Sequence, residues 1–188
     1  MNFATSNSMR LFIALDLPTA IRNELAELQA AMRLPSHPVR WVEPGNMHLT
    51  LQFLGETPAT DLAGLKAALQ HLPEPEFDLR LGSLGAFPHV YYPEVIWAGL
   101  AGELAPLHAL QASVCAATAA LGLGRKKATF RPHITLGRVR QGVNQLRLEA
   151  LGSTIERHPP PRPLSWPSGR PILFESTLTP QGALYTRP

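Results

Sequence analysis

Two short stretches, His48-Leu49-Thr50-Leu51 and His133-Ile134-Thr135-Leu136, decide how this chain is interpreted. Each stretch alternates polar and apolar residues, which is the period of a half-buried β-strand. The histidine and threonine of each stretch therefore point to one face of a strand, and the two aliphatic residues point to the other. A chain that repeats this arrangement can bring two imidazoles together on one surface.

The composition is typical of an ordinary globular protein. Hydrophobic residues make up 45% of the chain and charged residues 16%, so a core can form and intrinsic disorder is excluded. The length of 188 residues suits a single domain spanning 1–188. The only cysteine, Cys115, can form neither an internal disulfide nor a cysteine-based zinc cluster. The formal net charge of +3 is compatible with an anionic ligand.

The chain shows no sign of a membrane segment or of export. No apolar run reaches the roughly 20 residues that cross a bilayer. The polar start lacks the charged head and apolar core of a signal peptide. We therefore expect a cytoplasmic, monomeric protein without membrane contact.

Periodicity predicts an α+β fold. Strand patterns cover residues 10–16, 40–42, 47–54, 77–86, 94–100, 129–139, 171–179 and 183–186, and helical patterns cover residues 19–32, 59–71, 103–121 and 143–150. Helices mixed with hairpin-joined strands favour α+β layers over a doubly wound parallel sheet. The repeated motif indicates two pseudo-symmetric lobes, each an antiparallel sheet with outer helices, that enclose a central cleft.

Two histidines on one surface can carry out acid/base chemistry at phosphorus. One neutral imidazole removes a proton from the nucleophile, and the other, protonated, donates a proton to the leaving oxygen. The hydroxyls of Thr50 and Thr135 would donate hydrogen bonds to the non-bridging phosphate oxygens. Such a site needs neither a metal nor another cofactor when the leaving group departs easily, as from a strained cyclic phosphodiester.

Other chemistries fit the sequence less well. A single His-x-Thr on a strand is usually structural, but the second copy in a separate strand changes that balance. A zinc site would need a third ligand with suitable spacing, which is missing. The chain also has no Gly-rich phosphate loop with a Lys-Ser/Thr end and no Gly-x-Ser-x-Gly elbow.

Further stretches accompany the two motifs. They are Met9-Arg-Leu-Phe-Ile-Ala-Leu-Asp16, Arg40-Trp41-Val42, Gln52-Phe-Leu-Gly55, Leu84-Gly-Ala-Phe-Pro88, Val95-Ile-Trp97-Ala-Gly99, Phe130-Arg-Pro132, Gly137-Arg138, Glu175-Ser-Thr-Leu178 and Gly182-Ala-Leu-Tyr185. With the paired His-x-Thr motifs, they make the chain resemble the two-histidine phosphoesterase superfamily. Within it the chain is most similar to the RNA 2',3'-cyclic phosphodiesterase family, also called the LigT-like or 2'-5' RNA ligase family.

The resemblance implies a site and an activity. By position, His48, Thr50, His133 and Thr135 would be the catalytic residues of a two-lobed fold. The implied reaction is metal-independent hydrolysis of a terminal RNA 2',3'-cyclic phosphate to a 2'-phosphomonoester. We expect His48 to protonate the 3'-oxygen and His133 to activate the water, although pseudo-symmetry also permits the reverse. Reversible 2'-5' RNA ligation would use a ribose hydroxyl in place of water.

Strand parity extends the site to neighbouring residues. Arg131 lies two positions before His133 and would share the cleft face, where it can bind phosphate; the alternative is a surface salt bridge. Gln52 would share a face with Thr50 and contact substrate. Arg138 lies at an offset of five from His133, which places it on the opposite face unless a bulge intervenes, so we expect a structural role.

Two loops offer additional contacts with RNA. The basic run Arg125-Lys126-Lys127 could follow a phosphate backbone, although charge runs beside helix ends are more often only solvated. The aromatic residues Phe87, Tyr91 and Tyr92 could stack on a base, although loop aromatics more often anchor their loop.

Two functions of other kinds remain open from the sequence. The first is an RNA-binding or ligating module that holds a strand end without hydrolysing it. The second is a phosphodiesterase acting on a small cyclic nucleotide or a 2'-5' oligonucleotide. The expected ligand is RNA ending in a 2',3'-cyclic phosphate, or a nucleotide 2',3'-cyclic phosphate.

Overall fold

Strands and helices alternate along the chain in a computed structural model that describes residues 8–34, 37–124, 129–179 and 182–188. The strands are β1 (Ser8–Leu15), β2 (Val39–Trp41), β3 (Leu49–Pro58), β4 (Asp78–His89), β5 (Tyr92–Gly102), β6 (His133–Val139), β7 (Ser165–Pro167), β8 (Pro171–Thr179) and β9 (Gly182–Thr186). The α-helices are α1 (Thr19–Met32), α2 (Leu62–Gln70), α3 (Leu104–Ala120) and α4 (Gln145–Arg157). Short 3-10 turns cover Pro44–Asn46 and Ala59–Asp61. The basic run at 125–127 and the turn at 180–181 lie outside the described residues.

The strands of the described residues form one antiparallel sheet that divides into two halves. The first half-sheet contains β3, β1, β8 and β9, and the second contains β6, β5, β4 and β7, with β2 paired to β6. β3 and β6 join the halves through one residue pair, Leu49 with Ile134. Both of these side chains are fully buried. The predicted α+β class with antiparallel sheets and outer helices is confirmed.

The helices cover one face of the sheet and cross between its halves. α2 and α3 pack on β8 and β3, and α4 packs on β4 and β5. α1 follows β1 in the chain but lies against the second half-sheet, where the Gln29 amide donates to the Leu136 carbonyl in β6. The face of the sheet that carries the histidines is called the cleft face.

Each motif strand contains a bulge immediately after its threonine. In β3, Thr50 pairs with Ala14 and Gln52 pairs with Ile13, so Leu51 is the extra residue. In β6, Thr135 pairs with Trp97 and Gly137 pairs with Ile96, so Leu136 is extra. A bulge lets two successive residues point to one side, which reverses strand parity beyond it. Parity arguments made from the histidines are therefore valid only as far as the threonines.

Several boundaries differ from the sequence-based expectations. β4 and β5 continue through the predicted aromatic loop at 87–93 and form a hairpin, because the Phe87–Val95 and His89–Tyr92 pairs extend the ladder. The helix predicted at 143–150 continues to Arg157, where Ile155 adds to its buried face. β7 was not predicted, because three residues are too few to show a period. β3 runs past Gly55 to Pro58.

A buried amide ties α1 to the second half-sheet. Gln29 is 2% exposed, and its Nε2 donates to the carbonyl oxygens of Val42 at 2.8 Å and Leu136 at 2.7 Å. Gln29→Leu should lower the free energy of unfolding by about 2 kcal/mol, because two hydrogen bonds of a buried amide are lost, although the Leu136 carbonyl still accepts from the Val42 N–H. Asn23→Leu, at an exposed position of the same helix, should change it by less than about 0.5 kcal/mol. Urea denaturation of both variants checks this; equal stabilities would contradict it.

Candidate active site

The two motifs meet where β3 and β6 join. The pair of Leu49 with Ile134 lies between His48 and Thr50 on one strand and between His133 and Thr135 on the other. In an antiparallel register the imidazole of each motif therefore lies beside the hydroxyl of the other motif. The four polar side chains are half-buried, whereas the aliphatic residues between them are inaccessible to solvent.

Both imidazoles are held in the same way. The Nδ1 atom of His48 lies 2.7 Å from the Asn46 carbonyl oxygen, and the Nδ1 atom of His133 lies 2.7 Å from the Arg131 carbonyl oxygen. A carbonyl oxygen only accepts hydrogen bonds, so Nδ1 carries the proton in each ring. The Nε2 atom of each neutral ring then has a free lone pair for proton transfer.

Aromatic rings fix the two imidazoles from the side. His48 contacts Phe12, at 4.8 Å between ring centroids, and the ring of Tyr185 edge-on at 5.2 Å. His133 contacts Phe87 edge-on at 5.0 Å. These contacts restrict rotation of each ring and remove water from one side of it.

The environment makes both imidazoles easier to deprotonate. Burial lowers the pKa of His48 and the pKa of His133 below the ordinary 6.5, because desolvation disfavours the charged ring. The hydrogen bonds to the carbonyls of Asn46 and Arg131 oppose this effect. The positive charge of Arg138 lowers the pKa of both histidines further, so its guanidinium acts on both rings.

A carboxylate, that of Asp16, influences the pKa of His48 but not that of His133. The Asp16 carboxylate raises the pKa of His48, and it is held by ion pairs with Arg22 and Arg187. The charge of His133 lowers the pKa of His48, since two neighbouring imidazolium ions repel each other. One proton on the pair is therefore favoured over two. Burial disfavours the charged form of both rings, and at His48 the Asp16 carboxylate offsets part of this effect.

Arg138 lies on the cleft face, which corrects the structural role expected for it. The bulge at Leu136 moves Arg138 to the side of His133, and its partner in the ladder is Val95. The side chain is exposed and forms no ion pair within the described ranges. Gly137 was the signal in the sequence, because a glycine inside a strand pattern often marks a bulge.

Phe53 occupies the corresponding position in the first half-sheet. The bulge at Leu51 returns Phe53 to the cleft face, where its ring lies 6.0 Å from that of Phe12. The side chain is 57% exposed, which is unusual for a phenylalanine in a strand. The pseudo-symmetric cleft therefore has a cation on one side and an open aromatic ring on the other. Strict alternation from Thr50 would place Phe53 on the opposite face, so the bulge at Leu51 explains why sequence reasoning did not single it out.

Tyr185 of β9 was another site residue not singled out from the sequence. Burial raises the pKa of its hydroxyl, while the charges of Arg138 and Arg10 act to lower it. The hydroxyl therefore stays protonated near neutral pH and can donate a hydrogen bond. Its sequence signals are a place in an alternating terminal strand and membership of the stretch Gly182-Ala-Leu-Tyr185 that contributes to the family resemblance.

The two proposed binding residues have different positions. Gln52 is turned toward α3, where the Thr118 hydroxyl donates to its Oε1 at 2.9 Å, so the expectation that it shares a face with Thr50 is wrong. The extra residue Leu51 is the physical reason. Arg131 is exposed, with its guanidinium 5.9 Å from the centre of the Phe87 ring beside His133. The salt bridge considered for Arg131 is absent among the described residues.

The three aromatic candidates from the sequence lie in different places. Tyr91 and Tyr92 lie at the exposed end of the β4–β5 hairpin, whereas Phe87 reaches the cleft beside His133. In the described part of the chain, no group of three or more His, Cys, Asp or Glu residues could hold a metal ion. None of the helices there is both long and apolar enough to cross a bilayer.

Comparison with known sequences places this geometry among phosphoesterases. The pattern of the LigT like Phosphoesterase family matches residues 15–97. A relative from Archaeoglobus fulgidus, named RNA 2',3'-cyclic phosphodiesterase, is 36% identical over 184 residues, covering 94% of this chain and 96% of the relative. A relative of the same name from Methanocaldococcus jannaschii is 32% identical over 178 residues, with coverage of 94% and 96%.

Solved structures show the same fold. The crystal structure of Escherichia coli LigT complexed with 3'-AMP superposes with a TM-score of 0.77 at 28% identity, covering 96% of this chain and 95% of that one. A crystal structure of a Thermus thermophilus protein also gives a TM-score of 0.77, at 32% identity, with coverage of 95% and 94%. By sequence over nearly its whole length and by fold, the chain belongs to the LigT-like phosphoesterase family.

Proposed function

We propose that the protein hydrolyses the 2',3'-cyclic phosphate at the 3' end of RNA to a 2'-phosphomonoester. The observation that carries this proposal is the pair of imidazoles, each bound through Nδ1 to a backbone carbonyl, with Nε2 left for proton transfer. The relatives named RNA 2',3'-cyclic phosphodiesterase support the choice of substrate.

The proposed mechanism divides two proton transfers between the histidines. His133 takes a proton from water through Nε2 as the water oxygen forms a bond to phosphorus. The bond from phosphorus to the ribose 3'-oxygen breaks, and His48 donates its proton to that oxygen. We assign the acid to His48 because the Asp16 carboxylate favours its charged form. No metal takes part in this scheme.

The remaining cleft groups match the charge and shape of a nucleotide. The hydroxyls of Thr50 and Thr135 donate to the non-bridging oxygens, and Arg138 balances the negative charge that develops there. Arg131 adds positive charge at the edge of the cleft beside His133. The exposed ring of Phe53 offers a face on which the terminal base can stack. Gln52 has no part in the proposal, because its amide oxygen is bound to Thr118.

The same proposal extends to the organisation of the protein. Residues 1–188 act as one domain, since each half-sheet supplies one histidine to the cleft. A monomer is sufficient, because both histidines come from one chain. As RNA ends are the proposed substrate, we place the enzyme in the cytoplasm.

The decisive experiment is hydrolysis of an RNA oligomer ending in a 2',3'-cyclic phosphate, with excess EDTA present. A 2'-phosphate product supports the reaction, the leaving group and independence from metal. A 3'-phosphate product would contradict the assignment of the leaving oxygen. No product would overturn the hydrolase, and joining of a 5'-hydroxyl RNA under the same conditions would then identify a ligase.

The lowered histidine pKa values predict an acid-shifted pH profile. His133 must be neutral and His48 protonated, so kcat/KM rises through the pKa of the base and falls through that of the acid. Both pKa values lie below the ordinary 6.5 in the free enzyme, so the optimum of kcat/KM should also lie below pH 6.5. A bound phosphodiester anion favours the charged rings, so kcat should peak at higher pH. Rates at subsaturating and saturating substrate separate these profiles; a kcat/KM optimum above pH 7.5 would contradict the prediction.

A further inference from the structure

Three arginines lie in a row on the cleft face of β2 and β6. Arg40 is directly opposite Arg138 in the ladder between these strands. The backbone N–H of Arg140 donates to the Pro38 carbonyl at 2.8 Å, which continues the ladder by one step. Arg140 is two positions from Arg138, so both side chains point to the same face. We call these three residues the arginine row.

The positive charges of the arginine row are not neutralised by ion pairs with acidic side chains of the described residues. The ion pairs of the described residues use other arginines, and none involves Arg40, Arg138 or Arg140. Val95 faces Arg138 across the ladder, and its acidic neighbour Glu94 takes part in none of the ion pairs of the described residues. Like charges directly opposite each other in a sheet lower stability. An exposed row of unpaired arginines is therefore suited to binding a polyanionic ligand, whose negative charges would offset this repulsion.

The spacing of the row suits a nucleic acid backbone. Cβ atoms of directly opposite residues lie about 5 Å apart. Residues two apart on one strand are separated by about 7 Å. Long arginine side chains on such a grid can reach successive phosphates of an extended strand. Among the three arginines, Arg138 lowers the pKa of both histidines. We therefore call Arg138 the inner end of the row, next to the histidines, and Arg40 and Arg140 its outer end.

We propose that Arg40 and Arg140 bind the phosphates on the 5' side of the terminal nucleotide, so that the enzyme prefers an RNA 3' end to a free cyclic mononucleotide. This inference rests on the proposed function only for the position of the terminal phosphate beside Arg138. A polynucleotide contacts the whole row, whereas a mononucleotide 2',3'-cyclic phosphate contacts its inner end alone.

A double variant, Arg40→Gln with Arg140→Gln, tests the preference. The substrates are a six-nucleotide RNA ending in a 2',3'-cyclic phosphate and adenosine 2',3'-cyclic phosphate. The ratio of their kcat/KM values should fall at least about tenfold in the double variant, because charged phosphate contacts are lost. Arg147→Gln, on exposed α4 surface, removes a charge elsewhere and should leave the ratio unchanged. An unchanged ratio in the double variant would overturn the inference.

Binding provides a second measurement that does not depend on turnover. Fluorescence anisotropy with the same RNA ending in a 2'-phosphate should show at least about tenfold weaker affinity for the double variant. The slope of log affinity against log salt should become shallower by about 1.4, which corresponds to two single-strand phosphate contacts. If the wild type hydrolyses neither substrate, the proposed function fails while these binding results still decide the inference. Equal affinities and equal slopes would overturn the arginine row as an RNA site.

Discussion

Replacing His48 or His133 by alanine should lower kcat by about 10²- to 10⁴-fold, the range contributed by positioned proton transfer. Each imidazole performs one of two proton transfers in a single displacement, so neither can substitute for the other. The double variant should therefore lose little more than either single variant, because removing one partner already disables the step. Steady-state rates on a cyclic-ended RNA measure all three.

Asparagine variants separate the chemistry from the fold. The side-chain amide of asparagine can donate to the carbonyl of Asn46 or Arg131, as Nδ1 does now, but it has no atom at the position of Nε2. His48→Asn and His133→Asn should thus keep wild-type stability and still lose activity. His71→Ala, at an exposed position after α2, is the matched control and should keep full activity. A kcat within threefold of wild type for either cleft variant would refute the two-histidine mechanism.

Replacing Arg138 by glutamine should have the second largest effect, lowering kcat by about 10²- to 10³-fold, as loss of one aimed transition-state donor typically does. The same change should move the pH optimum of kcat/KM upward. The Arg138 charge lowers the pKa of both histidines, so its removal raises both, and both limbs of the profile shift together.

The shift of the profile distinguishes a cleft role from a purely structural one. A variant that only loosened the strand would lose activity without moving both limbs to higher pH. Arg80→Gln removes an exposed charge from β4 and should change neither the rate nor the profile. A fixed pH optimum in Arg138→Gln would mean that the guanidinium does not act on the imidazoles.

Alternation along the strands was sufficient to predict the centre of the site. A period of two placed His48 and Thr50 on one face and buried Leu49, because side-chain direction over three residues depends only on the pleat. The same argument failed for Gln52 and Arg138. An inserted residue reverses direction for everything after it, and the pairing partner that reveals the insertion is distant in sequence.

The aromatic hairpin was missed for a different reason. A stretch with prolines at 88 and 93 is typical of a loop, because proline cannot donate to a central ladder. Here the two prolines are partners of each other, at a register shift near the end of the hairpin. The ladder tolerates them there, and Phe87 is carried into the cleft. Local composition indicates a turn correctly, but it does not give the length of the strands on either side.

The crossing of the helices between the half-sheets has a consequence for unfolding. α1 is bonded to β6 through Gln29, and Glu24 of the same helix pairs with Arg162 near the other end of the chain. α3 in turn covers β3. Each half-sheet is thus packed against a helix from the other half of the sequence. The arrangement resembles a domain-swapped dimer joined into one chain. Neither half has a complete core alone, and the molecule should melt in a single cooperative transition.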